Sequence, residues 1–384
     1  SFDRVRVPSG ALLDRFASVS EDGTYHSPIA SPVRRFFTTL GTLVGGRVSV
    51  ASAAVAAAES AQTIAVRYAW RRRQFSTDGG PENRLIDYRT HQRRLLTRLA
   101  ATYAYHFAAA DLVEEYVQLE SEPGDSGVDR RAFEGRAAGL KAFATWHSLE
   151  TIQECRQACG GQGYMAVNRL GPMRDDVDVF TTFEGDNTVL AQLLAKSLLT
   201  DYRASFENLT PGRLVRYVAE RVQGAVTETV PVIGSVGGEL TDPDTCLALL
   251  ERRSRLLVDK LALRVQARID AGVDPGQAFL DVQPHAVSAA RAASELDVYS
   301  SVRRLVIDDP ALAGLIEELG TLFALWRVEA DLPWFMETGL VTLNGAKQVR
   351  AGVTSLCEQI APWSLHLVDA FGIPDEVLAA PIAL

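Results

Sequence analysis

A single carboxylate, Glu184, stands in the stretch Thr181-Thr182-Phe183-Glu184-Gly185-Asp186-Asn187-Thr188, where a polar passage gives way to an apolar run. An apolar neighbour such as Phe183 disfavours the charged form of a carboxyl group, as a proton-abstracting base working near neutral pH requires. The same residues have a structural use. Thr181-x-x-Glu184 has the spacing of a capping box, in which the glutamate reaches back to the threonine N–H, although Asp186 and Asn187 can cap a helix themselves. Upstream, Cys159-Gly160-Gly161-Gln162-Gly163-Tyr164 is glycine-rich. A helix precedes it, whereas a dinucleotide-binding loop needs a strand there, so spacing alone reads as a helix stop. Arg71-Arg72-Arg73 can grip a phosphate bidentately or complement a helix dipole. Cys155 and Cys159 lie one turn apart with His147 two turns earlier. Without a second Cys/His pair at ligand spacing they read as small core residues, and no metal is expected.

These groups need helices to hold them. The chain predicts a short strand-and-turn segment from Phe2, whose Ser1–Pro8 start alternates like a strand, to about Tyr25. A long helix follows over Pro32–Arg73, then helices from Glu82 to about Leu119, from about Asp129 to Ala158, and from near Phe183. The middle of the first, Ala51 to Ala58, is built of small residues that allow close approach, so it should be central in an antiparallel four-helix bundle. Thr210-Pro211, Asp242-Pro243, Asp274-Pro275 and Asp309-Pro310 each place a capping side chain before a proline at the first helical position, marking a second C-terminal helical domain. The expected fold is mainly α, with residues 1–28 a short β remnant and connector, 29–204 the bundle and 205–384 the second helical domain.

Composition narrows the function classes. Of 384 residues, 47% are hydrophobic and 23% charged, enough for a sizeable core in two or three domains. A net charge of −9 argues against a nucleic-acid or anionic-membrane partner. No apolar run approaches the roughly twenty residues of a membrane span. Four sparse cysteines suit a reducing compartment, taken here as cytoplasmic. The chain lacks an initial methionine and a signal peptide, and reads as an entry in mid-domain; its end is not a Ser-Lys-Leu address.

Several motifs together resemble the acyl-CoA oxidases of the acyl-CoA dehydrogenase superfamily. They are Cys159 to Met165, Asn168-Arg169-Leu170, Asp178 to Leu190, Phe2-Asp3-x-Val5-Arg6-Val7-Pro8, Glu21 to Tyr25, Arg72-Arg73-Gln74-Phe75, Asp87-Tyr88-x-Thr90-His91-Gln92 and Phe371 to Asp375. The resemblance spans essentially the whole chain. It implies an FAD enzyme that desaturates an acyl-CoA thioester between the α and β carbons, with Glu184 as the base. It also implies that Gln157, Gly160 and Gly161 contact the adenosine part of FAD across a dimer interface, and that Arg72 and Phe75 hold FAD from the neighbouring subunit. Asp186 and Thr188 fall on flavin-contacting positions, although many dehydrogenases have threonine where Asp186 stands. Arg47, Phe183 and Gly185 fall on the acyl-CoA side.

The family's usual N-terminal helical domain and most of its β-domain are not in this sequence, so the resemblance implies a homodimer or a heteromer with a chain carrying them. Three readings follow: an oxidase returning electrons to O₂, a dehydrogenase passing them to an electron-transfer flavoprotein, and a non-catalytic helical subunit. Phe183 and the second helical domain favour the oxidase.

Overall fold

The structure, a computed structural model, describes residues 2–32, 35, 39, 43–76, 79–121, 129–207 and 241–384. Four long helices come first: α1 (Leu43–Arg71), α2 (Arg89–Ser121), α3 (Arg130–Ala158) and, after a short α4 (Leu170–Asp178), α5 (Asn187–Glu207). Side-chain pairings fix their directions. Glu59 meets His106 and Gln62 donates to the Leu95 carbonyl, so α1 and α2 are antiparallel. Arg94–Glu154, Thr102–His147 and Arg136–Glu115 run α2 against α3. Arg131–Asp201 and Thr145–Asn187 run α3 against α5. α1 and α3 are therefore parallel, with their C-terminal ends together.

Small residues bring α1 and α3 close. Ala51, Ala54, Ala58, Ala61 and Ala65 of α1, and Ala137, Ala142 and Ala144 of α3, are almost fully buried. α2 contributes the bulk: Leu95, Leu96, Leu99 and Leu112 are inaccessible, and truncating any one to alanine removes about 2–5 kcal/mol.

Beyond residue 240 come α6 (Pro243–Asp270), α7 (Gln283–Arg303), α8 (Pro310–Ala330) and α9 (Leu343–Ile360), joined by shorter helical turns. The three described Asp-Pro starts form as expected: Asp242, Asp274 and Asp309 each accept backbone N–H bonds with proline at the first position. Thr210-Pro211 lies outside the described residues. α7 packs against α2 and α5 as well as α6, and one apolar core runs through both halves. The C-terminal turns return to the bundle, where Arg67 of α1 pairs with Asp369 and Asp375, and the Tyr103 hydroxyl donates to the Leu367 carbonyl at 2.6 Å.

The mainly α expectation holds; several boundaries differ. Among the described residues, the strands form one antiparallel pair, β1 (Ser18–Val19) with β2 (Tyr25–His26), beside an isolated bridge between Arg73 and Arg84. Phe2–Pro8 is not a strand, and Phe2, Val5 and Val7 are exposed, because alternation needs a neighbouring strand and no described residue supplies one. α2 starts at Arg89 after a turn at Leu85–Asp87 rather than at Glu82. α5 starts at Asn187 rather than near Phe183, because positive φ at Glu184 and Gly185 breaks the helix. Among the described residues, no helix is long and apolar enough to cross a membrane.

Candidate active site

Asp186 caps α5 by accepting N–H bonds from Thr188 (2.9 Å) and Val189 (3.2 Å). To reach that cap the chain turns through Gly185 at φ +108° and Glu184 at φ +55°. A non-glycine residue with positive φ costs about 1–2 kcal/mol, so neighbouring groups must hold it. Lys141, in the middle of α3 and fully buried, donates to the Gly185 carbonyl (2.7 Å) and to Asn187 Oδ1 (3.1 Å). Asn187 Nδ2 donates to Thr145 Oγ1 (2.8 Å), and Thr145 Oγ1 donates to the Lys141 carbonyl (2.9 Å), closing the network. Arg47 Nε donates to the Glu184 carbonyl at 3.5 Å.

The electrostatics follow from burial. Desolvation pulls the Lys141 ammonium down to about 8, with Arg47 adding to the effect and Asp186 and Glu184 opposing it. Burial also lowers the Arg47 guanidinium, against the favourable charges of Glu134 and Glu184.

The Glu184 carboxylate lies over α1 at Gly46. A Cβ on Gly46 would stand 2.7 Å from Glu184 Cδ and Oε2, so this helical position has to be glycine for the carboxylate to sit there. Oε2 is buried and has no hydrogen-bond partner among the described residues. The capping box does not form: Thr181 Oγ1 donates to the Asp178 carbonyl (2.7 Å), and Glu184 precedes the helix instead of standing in its first turn. Phe183 is partly exposed, its ring 5.4 Å from that of Phe180.

The other named residues form a second cluster. α3 stops at Cys159, and Gly160 turns at φ +57°. Positions where Cβ atoms would stand on Gly160 and Gly161 have no atom within 4 Å, whereas one on Gly163 would run into the Arg156 carbonyl. Gln157 accepts from Arg94 at 3.5 Å. Beyond α1, the backbone of Arg72 to Phe75 is tied to Asn83 and Leu85, leaving the Arg72 and Phe75 side chains exposed. Tyr68, whose phenol is raised chiefly by burial, senses both Arg72 and Cys159, so this cluster lies where α1 and α3 end.

Gly46 is near one end of α1 and Arg72 beyond the other. At 1.5 Å per residue the 29 residues of α1 span about 43 Å. Within one chain the structure thus brings Glu184, Phe183, Gly185, Asp186, Thr188 and Arg47 together, and separately Gln157, Gly160, Gly161, Arg72 and Phe75.

Sequence reasoning missed Gly46, Lys141, Thr145 and Asn187's role in the network. Two signals were present. Lys141 interrupts the apolar run Leu140 to Ala144, and Gly45-Gly46 enters a helix at a cost of about 1 kcal/mol per glycine. His147 bonds to Thr102 at 3.0 Å and stacks on Tyr105. The four cysteines are buried and form no disulfide with one another, and burial raises the Cys159 thiol to about 12. Among the described residues, no group of three or more His, Cys, Asp or Glu could hold a metal ion.

Comparison with known proteins agrees over the whole length. The family model described as acyl-CoA oxidase, C-alpha1 domain, matches residues 40–199, and the acyl-CoA oxidase model matches residues 242–384. The chain is 37% identical over 390 residues to peroxisomal acyl-coenzyme A oxidase 2 of Arabidopsis thaliana, covering all of this chain and 56% of that protein. The crystal structure of Yarrowia lipolytica acyl-CoA oxidase 3 superposes with a TM-score of 0.85 at 30% identity, covering 100% of this chain and 56% of the other. A Caenorhabditis elegans acyl-CoA oxidase-1 crystallised with FAD and ATP has the same fold, with a TM-score of 0.85 at 24% identity, covering 100% and 56%. The chain spans about half the length of the relatives it matches. It belongs to the acyl-CoA oxidase family, of which it carries the C-terminal portion.

Proposed function

We propose that this chain carries the catalytic base of a flavin-dependent acyl-CoA oxidase, which converts an acyl-CoA thioester to the trans-2-enoyl-CoA. The observation that carries the reading is the Glu184 carboxylate held over Gly46 with Oε2 buried and, among the described residues, unpartnered. A buried acceptor without a donor is costly in a resting fold, and a substrate α hydrogen is a group it could receive. In this role Glu184 takes the α proton. The electron pair of the broken Cα–H bond forms the Cα–Cβ double bond, and the β hydrogen leaves with its own pair. When bound, FAD would supply the acceptor for that hydride and the route by which its two electrons reach O₂ as hydrogen peroxide.

The residues present fit such a cofactor. Gly160 and Gly161 leave open space over their backbones, which allows close approach, and Gln157, Arg72 and Phe75 are exposed beside them. These five would hold FAD, with Asp186 and Thr188 at its other end and Arg47, Phe183 and Gly185 on the acyl-CoA side. Because α1 separates the two clusters, each chain would lend its FAD-holding cluster to a neighbour's Glu184. The neighbour is a second copy, or a heteromer whose other chain carries the N-terminal α and β domains. In this reading residues 1–28 continue the β-domain, 29–204 carry both clusters and 205–384 brace them. The proposed compartment is the reducing cytoplasm; the Arabidopsis relative is named as peroxisomal, and imaging of the tagged full-length protein decides between them.

The test supplies the purified chain with FAD, an acyl-CoA and the candidate N-terminal polypeptide. Hydrogen peroxide released with enoyl-CoA supports the oxidase. Reduction of an electron-transfer flavoprotein without peroxide selects the dehydrogenase. A lone 41.8 kDa chain with tight FAD and full activity contradicts the need for a second polypeptide.

A further inference from the structure

The FAD-holding cluster is drawn from two different elements. Gly160 and Gly161 lie in the loop that ends α3, and Arg72 and Phe75 follow α1. On its open side the loop receives no packing, since Cβ positions over Gly160 and Gly161 have no atom within 4 Å. At Gly163 it is tight: a Cβ there would stand 1.9 Å from the Arg156 carbonyl oxygen, so this position has to be glycine for the loop to fold back onto α3.

Asn168, only 1% exposed, stands behind that loop. Its Nδ2 donates to the Gln162 carbonyl at 2.8 Å and to Gln162 Oε1 at 3.1 Å. Its Oδ1 accepts from the N–H of Ile382, 214 residues away in the chain, at 3.3 Å. The carboxamide has one working orientation, because turning it over would set oxygen against the Gln162 carbonyl and nitrogen against the Ile382 N–H. The adjacent Arg169, held at φ +66°, donates to the Val377 carbonyl at 3.2 Å. Ile382 belongs to the turn Pro381–Ala383, which packs on α1 with Ala380 and Ala383 buried. Earlier in the same segment, Asp369 and Asp375 pair with Arg67 of α1, little more than one helical turn before Arg72. The C-terminal segment thus ties the loop to the end of α1.

We propose that Asn168 is a positioning residue for the cofactor, holding the Gly160–Gly163 loop to the C-terminal turn so that Gly160 and Gly161 keep a fixed spacing from Arg72 and Phe75. The inference rests on the reading of these four residues as FAD-holding. Asn168 is too deeply buried to touch a bound molecule and acts through Gln162 and the backbone on either side of it. A preorganised loop loses less freedom when its ligand arrives, so loosening it weakens binding without slowing chemistry. The C-terminal turn, which belongs to neither cluster, becomes a determinant of cofactor retention.

Two variants cut the tie from opposite sides. Asn168→Ala removes its three side-chain bonds, and Ala380→Asp lifts the turn by burying a charge beneath it. In the chain alone, hydrogen exchange at amides 161–168 should speed up at least tenfold in both. In the assembled enzyme, FAD titrated into cofactor-free protein and followed by quenching of its fluorescence should bind at least tenfold more weakly, while kcat and the KM for acyl-CoA at saturating FAD stay native. Tyr103→Phe, which cuts the bond to the Leu367 carbonyl earlier in the same segment, is the control and should move neither readout. Unchanged exchange in Asn168→Ala, or equal changes in all three variants, overturns the proposal. Faster exchange with native FAD affinity overturns it too, and places the fault in the reading of the loop as a cofactor contact.

Discussion

Glu184 occupies left-handed backbone, a fully buried lysine grips the next carbonyl, and a glycine on the facing helix leaves room for its carboxylate. Each partner can be altered separately. The three atoms nearest a Cβ at Gly46 all belong to the movable end of the Glu184 side chain, so Gly46→Ala should shift the unfolding midpoint very little while cutting turnover at least tenfold; unchanged turnover would show that the carboxylate's place is unimportant. Lys141→Met removes the donor to Gly185 and Asn187 and should lower kcat at least tenfold with little change in KM for acyl-CoA, with partial recovery in Lys141→Arg. Burial lowers the Lys141 ammonium to about 8. Its charge is intact below that pH and lost above it, so wild-type turnover should decline on the alkaline side around 8 and the Lys141→Met profile should lack that limb. The stability sign is opposite. The cost of burying the charge is present below about 8 and is relieved as pH climbs toward the ordinary value of 10.5, so wild-type unfolding free energy should rise through that window relative to the variant.

Helices were legible in the sequence where caps and periodicity agreed. Asp129 caps α3 and the described Asp-Pro pairs open α6 and α8, because a short acceptor before a proline has few other uses. The start of α5 was misplaced because Thr181-x-x-Glu184 imitates a capping box, and only three-dimensional contacts, Lys141 to Gly185 and Glu184 over Gly46, favour the left-handed turn over it. Glu184 itself was legible from its motif. Lys141 was not, since one lysine in a helix ordinarily reads as a solvated face. At the same scale, the α1–α2 contact carries a titratable pair. Glu59 bonds to His106 Nδ1 at 2.7 Å and raises the imidazole above its ordinary value. The stabilisation should be complete below about 6.5 and lost as pH rises through the raised folded value. Thermal melts across that range should show the loss in the native chain and a flatter profile in His106→Asn; matching profiles would remove the pair from the account.

Across the whole molecule, one core joins the bundle to the C-terminal helices, so acid should unfold the two together. His91 is lowered to about 4 and His147 well below its ordinary value, chiefly by burial. Both bind protons more readily when unfolded, so stability should be full above about 6.5 and decline as pH falls toward 4, by on the order of 3 kcal/mol from His91 alone. Denaturant titrations by far-ultraviolet and near-ultraviolet signals should show one coincident transition moving to lower denaturant over that window; two separated transitions would contradict a shared core. The same cohesion packs Glu184 against α3 and α1 while the proposed FAD-holding residues Gln157, Gly160, Gly161, Arg72 and Phe75 lie about one helix length away, so the central claim is best tested in the assembled enzyme. Mixed anaerobically with excess acyl-CoA, the FAD-loaded native assembly should lose its flavin absorbance in a single rapid phase, and Glu184→Gln, with unchanged folding and FAD content, should slow that phase by about a hundredfold to ten-thousandfold. A Glu184→Gln enzyme that bleaches at the native rate would contradict the assignment of Glu184 as the base.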